Sequence, residues 1–374
     1  MSIFFQQISG QISGKYQTDL FFQKISDRSR YFSIFSELFF VYTINRGDNM
    51  NKLHLAQLPT PIEKIDYLSD KYKPNIFVKR DDLTDSVASG NKIRKLEYSV
   101  AEALSLGCDT LITNGGFQSN HCRSTAAVAA KLGLKCILIL RKEPGENIET
   151  ANFLLDHMLG ADIRVKEHDD FQAHKDEMMQ EVYQEVLDKG GKPYIIPMGA
   201  SNGIGTLGYI EAFDEILEYE KKTGIVFDTI VNAVGSGGTY TGLYLGNELR
   251  QAHKDIVGIN VCDDADFFIK EINSIIDDTL PHLDVEDVDR SHIHIIDGYV
   301  GRGYSLSRKE ELEAISDLSR HSGIILDPVY TGKAYYGLIH ELEKETFDHA
   351  KNILFMHTGG IYGLFSKSKE IISA

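Results

Sequence analysis

The sequence predicts an α/β protein of parallel sheets flanked by helices, and three observations carry that expectation. From Met50 onward, short β-rich runs alternate with helical patterns, the signature of strands joined by helical crossovers. Glycine-bounded turns follow several of these runs, where open sheets place their ligands. Four cysteines in 374 residues, with no Cys-x-x-Cys pair, leave neither a disulfide framework nor a zinc ribbon to organise the chain.

Residues 1–49 stand apart. They contain no alanine, proline or cysteine, yet hold eight of the 19 phenylalanines and a tandem Gln-Ile-Ser-Gly repeat. They lack the early positive charge and continuous apolar block of a secretory signal. They read as an N-terminal extension, either a partner-binding or targeting arm or a translated upstream region with Met50 the working start; the second is the simpler reading. Strands are then expected at residues 76–79, 110–113, 136–140, 162–165, 194–197, 227–234, 257–262, 293–296 and 353–356. Between the first two, Ile93, Leu96, Val100, Ala103 and Leu104 share one helical face, with Gly107 as a C-cap. Gly115-Gly116 follows the second run, Gly235-Ser236-Gly237-Gly238-Thr239 the sixth, and Gly359-Gly360 the last.

Acidic residues exceed basic ones by 55 to 39, a net charge of −16. A nucleic acid or an anionic membrane would be repelled on average. No apolar run approaches the roughly 20 residues of a membrane-spanning helix. Reduced thiols in a cytoplasmic protein are the expected state.

Several constellations carry chemistry. The small residues Gly235, Ser236, Gly237, Gly238 and Thr239 either form a plain tight turn or let successive main-chain N–H groups converge on an anion such as a phosphate, to which a following helix adds its dipole. Tyr240 breaks the dinucleotide fingerprint, and no Lys-Ser or Lys-Thr completes a Walker loop. Lys92, after Ser89-Gly90-Asn91, stands where a helix begins. Taken alone it is a solvated lysine; desolvated, it is an amine nucleophile. Residues 115–121 (Gly-Gly-Phe-Gln-Ser-Asn-His) could hold a carboxylate or simply cap a helix through Ser119 or Asn120. Gly199-Ala200-Ser201-Asn202-Gly203 fits a nucleophile elbow, and Asp327 and His357 follow in hydrolase order, though a glycine-rich loop explains it better. His292 and His294 lack an obvious third ligand, so no metal site is expected.

Together these pieces resemble one family, the D-cysteine desulfhydrase and 1-aminocyclopropane-1-carboxylate deaminase group of pyridoxal-phosphate enzymes, of fold type II. Five motifs occur in the family's order: Leu58-Pro59-Thr60-Pro61, SGNKIRKLE at 89–97, NGGFQSNHCR at 114–123, the turn at 235–239, and Asp327-Pro328-Val329-Tyr330-Thr331-Gly332-Lys333. The resemblance implies two open, mostly parallel sheets flanked by helices. It implies a large cofactor domain (50–95 plus 206–374), a small domain (96–205) and a homodimer. Lys92 would carry pyridoxal 5′-phosphate, the 235–239 turn would hold its phosphate, and Asn120 would bond the ring hydroxyl. Ser119 and His121 would line the substrate carboxylate site. Tyr330 would pack by the ring, Tyr304 would be a second active-site tyrosine, and Thr331 would stand at the pyridine nitrogen. Ring-opening members place glutamate and leucine where Thr331 and Thr358 stand here; both threonines match the D-cysteine desulfhydrases. The implied reaction is β-elimination of D-cysteine to pyruvate, hydrogen sulfide and ammonia. L-Cysteate sulfo-lyase and the deaminase are its rivals within the family. A serine hydrolase on Ser201 and a non-catalytic anion-binding module are rivals from other classes.

Overall fold

A computed structural model of the protein describes residues 52–143 and 149–374. The chain divides into two units, Met1–His54 and Leu55–Ala374, and the fold belongs to the second. The expectations for residues 1–49 lie outside the described residues.

In chain order the elements are β1 (Ile62–Lys64), α1 (Asp66–Lys71), β2 (Asn75–Lys79), α2 (Asn91–Ser105), β3 (Thr110–Gly116), α3 (Asn120–Leu132) and β4 (Lys135–Lys142). There follow α4 (Ala151–Met158), β5 (Asp162–Glu167), α5 (His168–Asp188), β6 (Pro193–Ile195), α6 (Gly203–Thr223), β7 (Thr229–Val234), α7 (Gly238–Arg250) and β8 (Asp255–Asn260). The chain closes with α8 (Ala265–Thr279), β9 (His294–Ile296), α9 (Lys309–Ser322), α10 (Thr331–Glu343), β10 (Asn352–Met356), α11 (Ile361–Phe365) and α12 (Ser368–Ser373).

Two sheets result. The larger has the order β1-β2-β10-β7-β8-β9, and only the β1–β2 pair is antiparallel. The smaller, β5-β4-β3-β6, is wholly parallel. All nine expected strands are present, within a few residues at their ends. The unexpected one is β1, whose Ile62-Glu63-Lys64 is too short to show a period and becomes a strand by pairing with β2.

Period-two alternation divides the large core. On one face Ile353, Phe355, Val231 and Val257 pack with Leu312, Ile315, Leu338 and Leu342 of α9 and α10. On the other, Leu354, Met356, Ile230 and Ile256 pack with Phe213, Leu243, Phe268 and Ile272 of α6, α7 and α8. Covering both faces is what parallel sheets require, and it explains why these strands are apolar throughout. The small sheet buries Ile112, Ile137 and Ile139 against Phe171, Met179 and Val182 of α5.

Candidate active site

The carboxyl ends of both sheets open on one cavity of about 430 Å³. Lys92 enters it from the first turn of α2. The local chain brings it there tightly: a Cβ at Gly90 (φ +100°) would lie 2.6 Å from the Thr358 carbonyl oxygen, so only glycine fits. Asn91 N–H donates to that same oxygen at 3.0 Å. Lys92 Nζ donates to Asn91 Oδ1 at 3.2 Å. Enclosure lowers its pKa to about 8, with Asp327 opposing the shift and Arg123 adding to it.

The turn after β7 forms the cavity floor beside Lys92, and Asn91 Nδ2 donates to Thr239 Oγ1 at 3.0 Å. A Cβ at Gly238 would meet Lys95 Nζ at 2.8 Å and Ser201 Cα at 2.9 Å, so Lys95 and the Ser201 loop approach this turn so closely because the residue is glycine. Lys95 is fully buried, and among the described residues its Nζ donates to Gly199 O (3.3 Å) and Ser201 Oγ (3.1 Å) and meets no carboxylate. Burial, and then Lys92, push its pKa well below the ordinary range. A buried ammonium without an acid is costly; an anion on the turn would satisfy it. Lys95 was not foreseen, although its i, i+3 spacing from Lys92 puts both amines on one side of α2.

The turn leading into α3 is the third wall. Ser119 is the N-cap, its Oγ accepting from Cys122 N at 3.2 Å. Among the described residues the main-chain N–H groups of Asn120 and His121 meet no acceptor, leaving a helix N-terminus aimed into the cavity. Asn152, buried at the start of α4, fixes the Asn120 amide. Asn152 Nδ2 donates to the Gln118 carbonyl (2.8 Å), so its amino side must face this turn, and it also donates to Asn120 Oδ1 (2.9 Å). Asn120 therefore keeps its own NH₂ as an outward donor. Nothing in the sequence pointed to Asn152, 32 residues away. His121 is set just as firmly. The Thr113 hydroxyl gives its one hydrogen to Ile196 O (2.7 Å), so His121 Nε2 must be the donor to Thr113 Oγ1 (2.8 Å). Burial and the two lysines hold the imidazole neutral. Its bare Nδ1 cannot donate to a carboxylate, so His121 offers its main-chain N–H instead of its ring.

Tyr304 and Tyr330 share a hydrogen bond of 2.6 Å on the far wall. The Tyr330 ring lies against Gly235, where a Cβ would approach within 2.8 Å. Burial raises the Tyr304 phenol to about 12 and Tyr330 well above its usual value. Lys333 Nζ donates to Val300 O and Gly303 O, both at 2.6 Å, tying the Tyr304 loop to α10. Thr358 lines the cavity. Thr331 is fully buried outside its lining, and its hydroxyl donates to Asp327 Oδ1 at 2.7 Å. The same carboxylate accepts from the main-chain N–H groups of Val329, Tyr330 and Thr331.

The elbow reading of Ser201 fails. Its Oγ bonds to Ser236 Oγ (2.8 Å) and Lys95, while His357 Nε2 bonds to Ile325 O (3.1 Å) and Asp327 caps α10. No hydrolase triad is assembled. His294 pairs with Asp255 at 3.0 Å, and the described residues hold no cluster that could take a metal.

A glycine cradle with a buried amine beside it, a second amine of lowered pKa, an outward amide donor and a tyrosine ring against the cradle suit pyridoxal phosphate. The sequence profile described as "Pyridoxal-phosphate dependent enzyme" matches residues 53–359. A bifunctional D-cysteine desulfhydrase/1-aminocyclopropane-1-carboxylate deaminase of Arabidopsis thaliana is 40% identical over 85% of this chain and 80% of its own. The D-cysteine desulfhydrase of Serratia proteamaculans is 36% identical over 86% of this chain and 97% of its own. A crystal structure titled as an ACC deaminase homologue superposes with a TM-score of 0.79 at 37% identity, covering 87% of this chain and 96% of that one. The chain therefore belongs to the pyridoxal-phosphate dependent enzymes, in the group that carries the names D-cysteine desulfhydrase and 1-aminocyclopropane-1-carboxylate deaminase, and pyridoxal phosphate is its cofactor.

Proposed function

We propose that the protein is a D-cysteine desulfhydrase, converting D-cysteine and water to pyruvate, hydrogen sulfide and ammonia. The observation that carries this reading is Thr331, whose hydroxyl is spent on Asp327. A threonine so engaged supplies no anion to a pyridine nitrogen, unlike the glutamate of ring-opening relatives. Elimination tolerates the weaker electron demand because thiolate, with a pKa near 8.5, leaves readily. Opening a cyclopropane carbon–carbon bond asks for more.

Each wall has a task in this reading. Bound pyridoxal phosphate supplies the electron sink that lets a Cα–H ionise. Lys92 carries the cofactor, and its amine, lowered to about 8, takes the Cα proton. Residues 235–239 and Lys95 hold the phosphate, and the Asn120 NH₂ meets the ring hydroxyl. The N–H groups of Asn120 and His121 orient the substrate carboxylate, with Ser119 keeping that turn in place. Tyr304 and Tyr330, both raised by burial, stay protonated, and a phenol O–H donates a hydrogen bond to the departing thiolate without giving up its proton. Thr358 shapes the pocket beside them.

The division into a large cofactor domain and a small domain at 96–205 belongs to the same proposal. What supports it is that the strands between residues 110 and 195 form a sheet of their own. A cytoplasmic homodimer completes it. No helix among the described residues is long and apolar enough to cross a membrane.

The test is a parallel assay of D-cysteine, L-cysteate and 1-aminocyclopropane-1-carboxylate. Sulfide and pyruvate from D-cysteine should exceed the other two products by at least about tenfold in kcat/KM, a difference of about 1.4 kcal/mol. Faster release of 2-oxobutyrate from the cyclopropane substrate would turn the assignment to the deaminase.

A further inference from the structure

Besides Lys92, one permanent cation lines the cavity among the described residues, and it is Arg141. It lies near the end of β4, in register with Gly116 of the turn that receives the carboxylate. Its Cζ stands 5.7 Å from the centre of the Tyr304 ring. The guanidinium is not available on equal terms to every ligand. Arg141 Nε donates to Glu143 Oε1 at 2.8 Å, and His168 Nδ1 lies 2.7 Å from Glu143 Oε2, so both carboxylate oxygens are engaged. Glu143 and His168 line the same cavity, and Asp263 adds a further negative charge.

We propose that Glu143 sets the charge selectivity of the site: by pairing with Arg141 it cancels the cation that a second anionic group of a substrate would need. This rests on the functional reading above, in which Lys92 is committed to the cofactor. With Arg141 balanced, the lining carries no net positive charge to repay the desolvation of a sulfonate. D-Cysteine, whose thiol is mostly neutral near pH 7, pays no such cost. The site is then one for amino acids with a neutral or thiol β-substituent, and it turns away those with a sulfonate.

The experiment compares D-cysteine with D-cysteate, which has the same configuration and one more negative charge. Binding to the holoenzyme is read from the change in cofactor absorbance, and product release is read separately. Glu143 is partly exposed, so Glu143→Gln changes charge at nearly constant shape. In that variant the Kd of D-cysteate should fall at least about tenfold, while that of D-cysteine moves less than about threefold. Adding Arg141→Gln should abolish the gain, because the gain depends on the released guanidinium. An unmoved D-cysteate affinity overturns the inference, as does a gain that persists without Arg141 or an absorbance that neither amino acid changes. If D-cysteine binds and yields no sulfide, the functional reading fails, while the two affinities still decide the role of Glu143.

Discussion

Lys92 owes its chemistry to where its side chain ends. At a pKa of about 8, set mainly by burial, the cofactor-free protein holds about a tenth of this amine unprotonated at pH 7 and about nine tenths at pH 9. The rate at which added pyridoxal phosphate is captured should therefore rise about tenfold over that interval and then level off. An ordinary lysine would rise about a hundredfold with no plateau. Thr331 makes a second prediction. Replacing it with glutamate removes the hydroxyl donor from Asp327 and sets a like charge beside a buried carboxylate. Thr331→Glu should lower stability by about 1–3 kcal/mol, read as a lower Tm. Combined with Thr358→Leu it should still shift preference from D-cysteine toward the cyclopropane substrate, which assays of all four combinations would check. Lys92 could be singled out because it stands in a contiguous motif; Thr331, singled out the same way for the pyridine nitrogen, lies outside the cavity lining with its hydroxyl on Asp327. Asn152 was not legible, because its task is to orient the amide of Asn120 across 32 residues, and the sequence alone carries no such orientation. The neutral tautomer of His121 was hidden for the same reason: it follows from a hydroxyl hydrogen given to Ile196.

Two elements hold the site open, the turn before α7 and the helix α2. Gly238→Ala would place a methyl group within 3 Å of Ser201 Cα and Lys95 Nζ, against backbone that cannot yield cheaply. The Kd for pyridoxal phosphate should rise at least about tenfold, the loss of one charge-assisted bond of 1.5–3 kcal/mol. Beneath Lys92, α2 is anchored by a buried ion network. Arg94 bonds Asp81 (2.9 Å) and Glu215 (2.7 Å), Lys79 bonds Glu215 (2.7 Å), and Tyr209 donates to Asp81 (2.6 Å). Although burial opposes it, Arg94 and Lys79 hold Asp81 at about 2, below its unfolded value of 3.8. A depressed carboxylate stabilises the fold above the unfolded pKa, and that stability is lost as pH falls from about 4 through about 2. The loss is on the order of 2 kcal/mol. Urea unfolding should record it, and Asp81→Asn should flatten that acid limb while costing about 2 kcal/mol at pH 7, because Arg94 loses one of its two carboxylate partners and keeps Glu215. The sequence announced the glycines of the turn. It did not announce this network, whose charges come from three separate segments, the end of β2, α2 and α6, and look like ordinary surface residues in each.

At the scale of the molecule, the site exists because two parallel sheets present their carboxyl ends to the same cavity. The large sheet contributes the 235–239 turn, Cys262, Asp263, Thr358 and Gly359, and the small one contributes Gly115, Gly116, Arg141 and the start of α3. The alternation of strand runs with helical patterns made both sheets legible, most clearly in the central strands β3, β4, β7, β8 and β10, which are buried on both faces and read as largely apolar runs. Their convergence on one cavity was not legible locally; it came from the resemblance, because packing between sheets leaves no periodic mark. The family match begins at residue 53, and the described residues that line the cavity all lie beyond it. A chain starting at Met50 should therefore bind the cofactor and turn over substrate within about twofold of the full chain, a difference under 0.5 kcal/mol. A large loss of activity or solubility on that truncation would show that residues 1–49 contribute to the body.

The central claim is that Lys92, and not one of its buried neighbours, carries the cofactor. Reducing the yellow holoenzyme with borohydride and mapping the peptides tests it directly. The pyridoxyl group should appear on the peptide containing Lys92, with Lys95 and Lys333 unmodified. Attachment at Lys95, behind the glycine turn, or at Lys333, on α10 beneath the Tyr304 loop, would contradict the account.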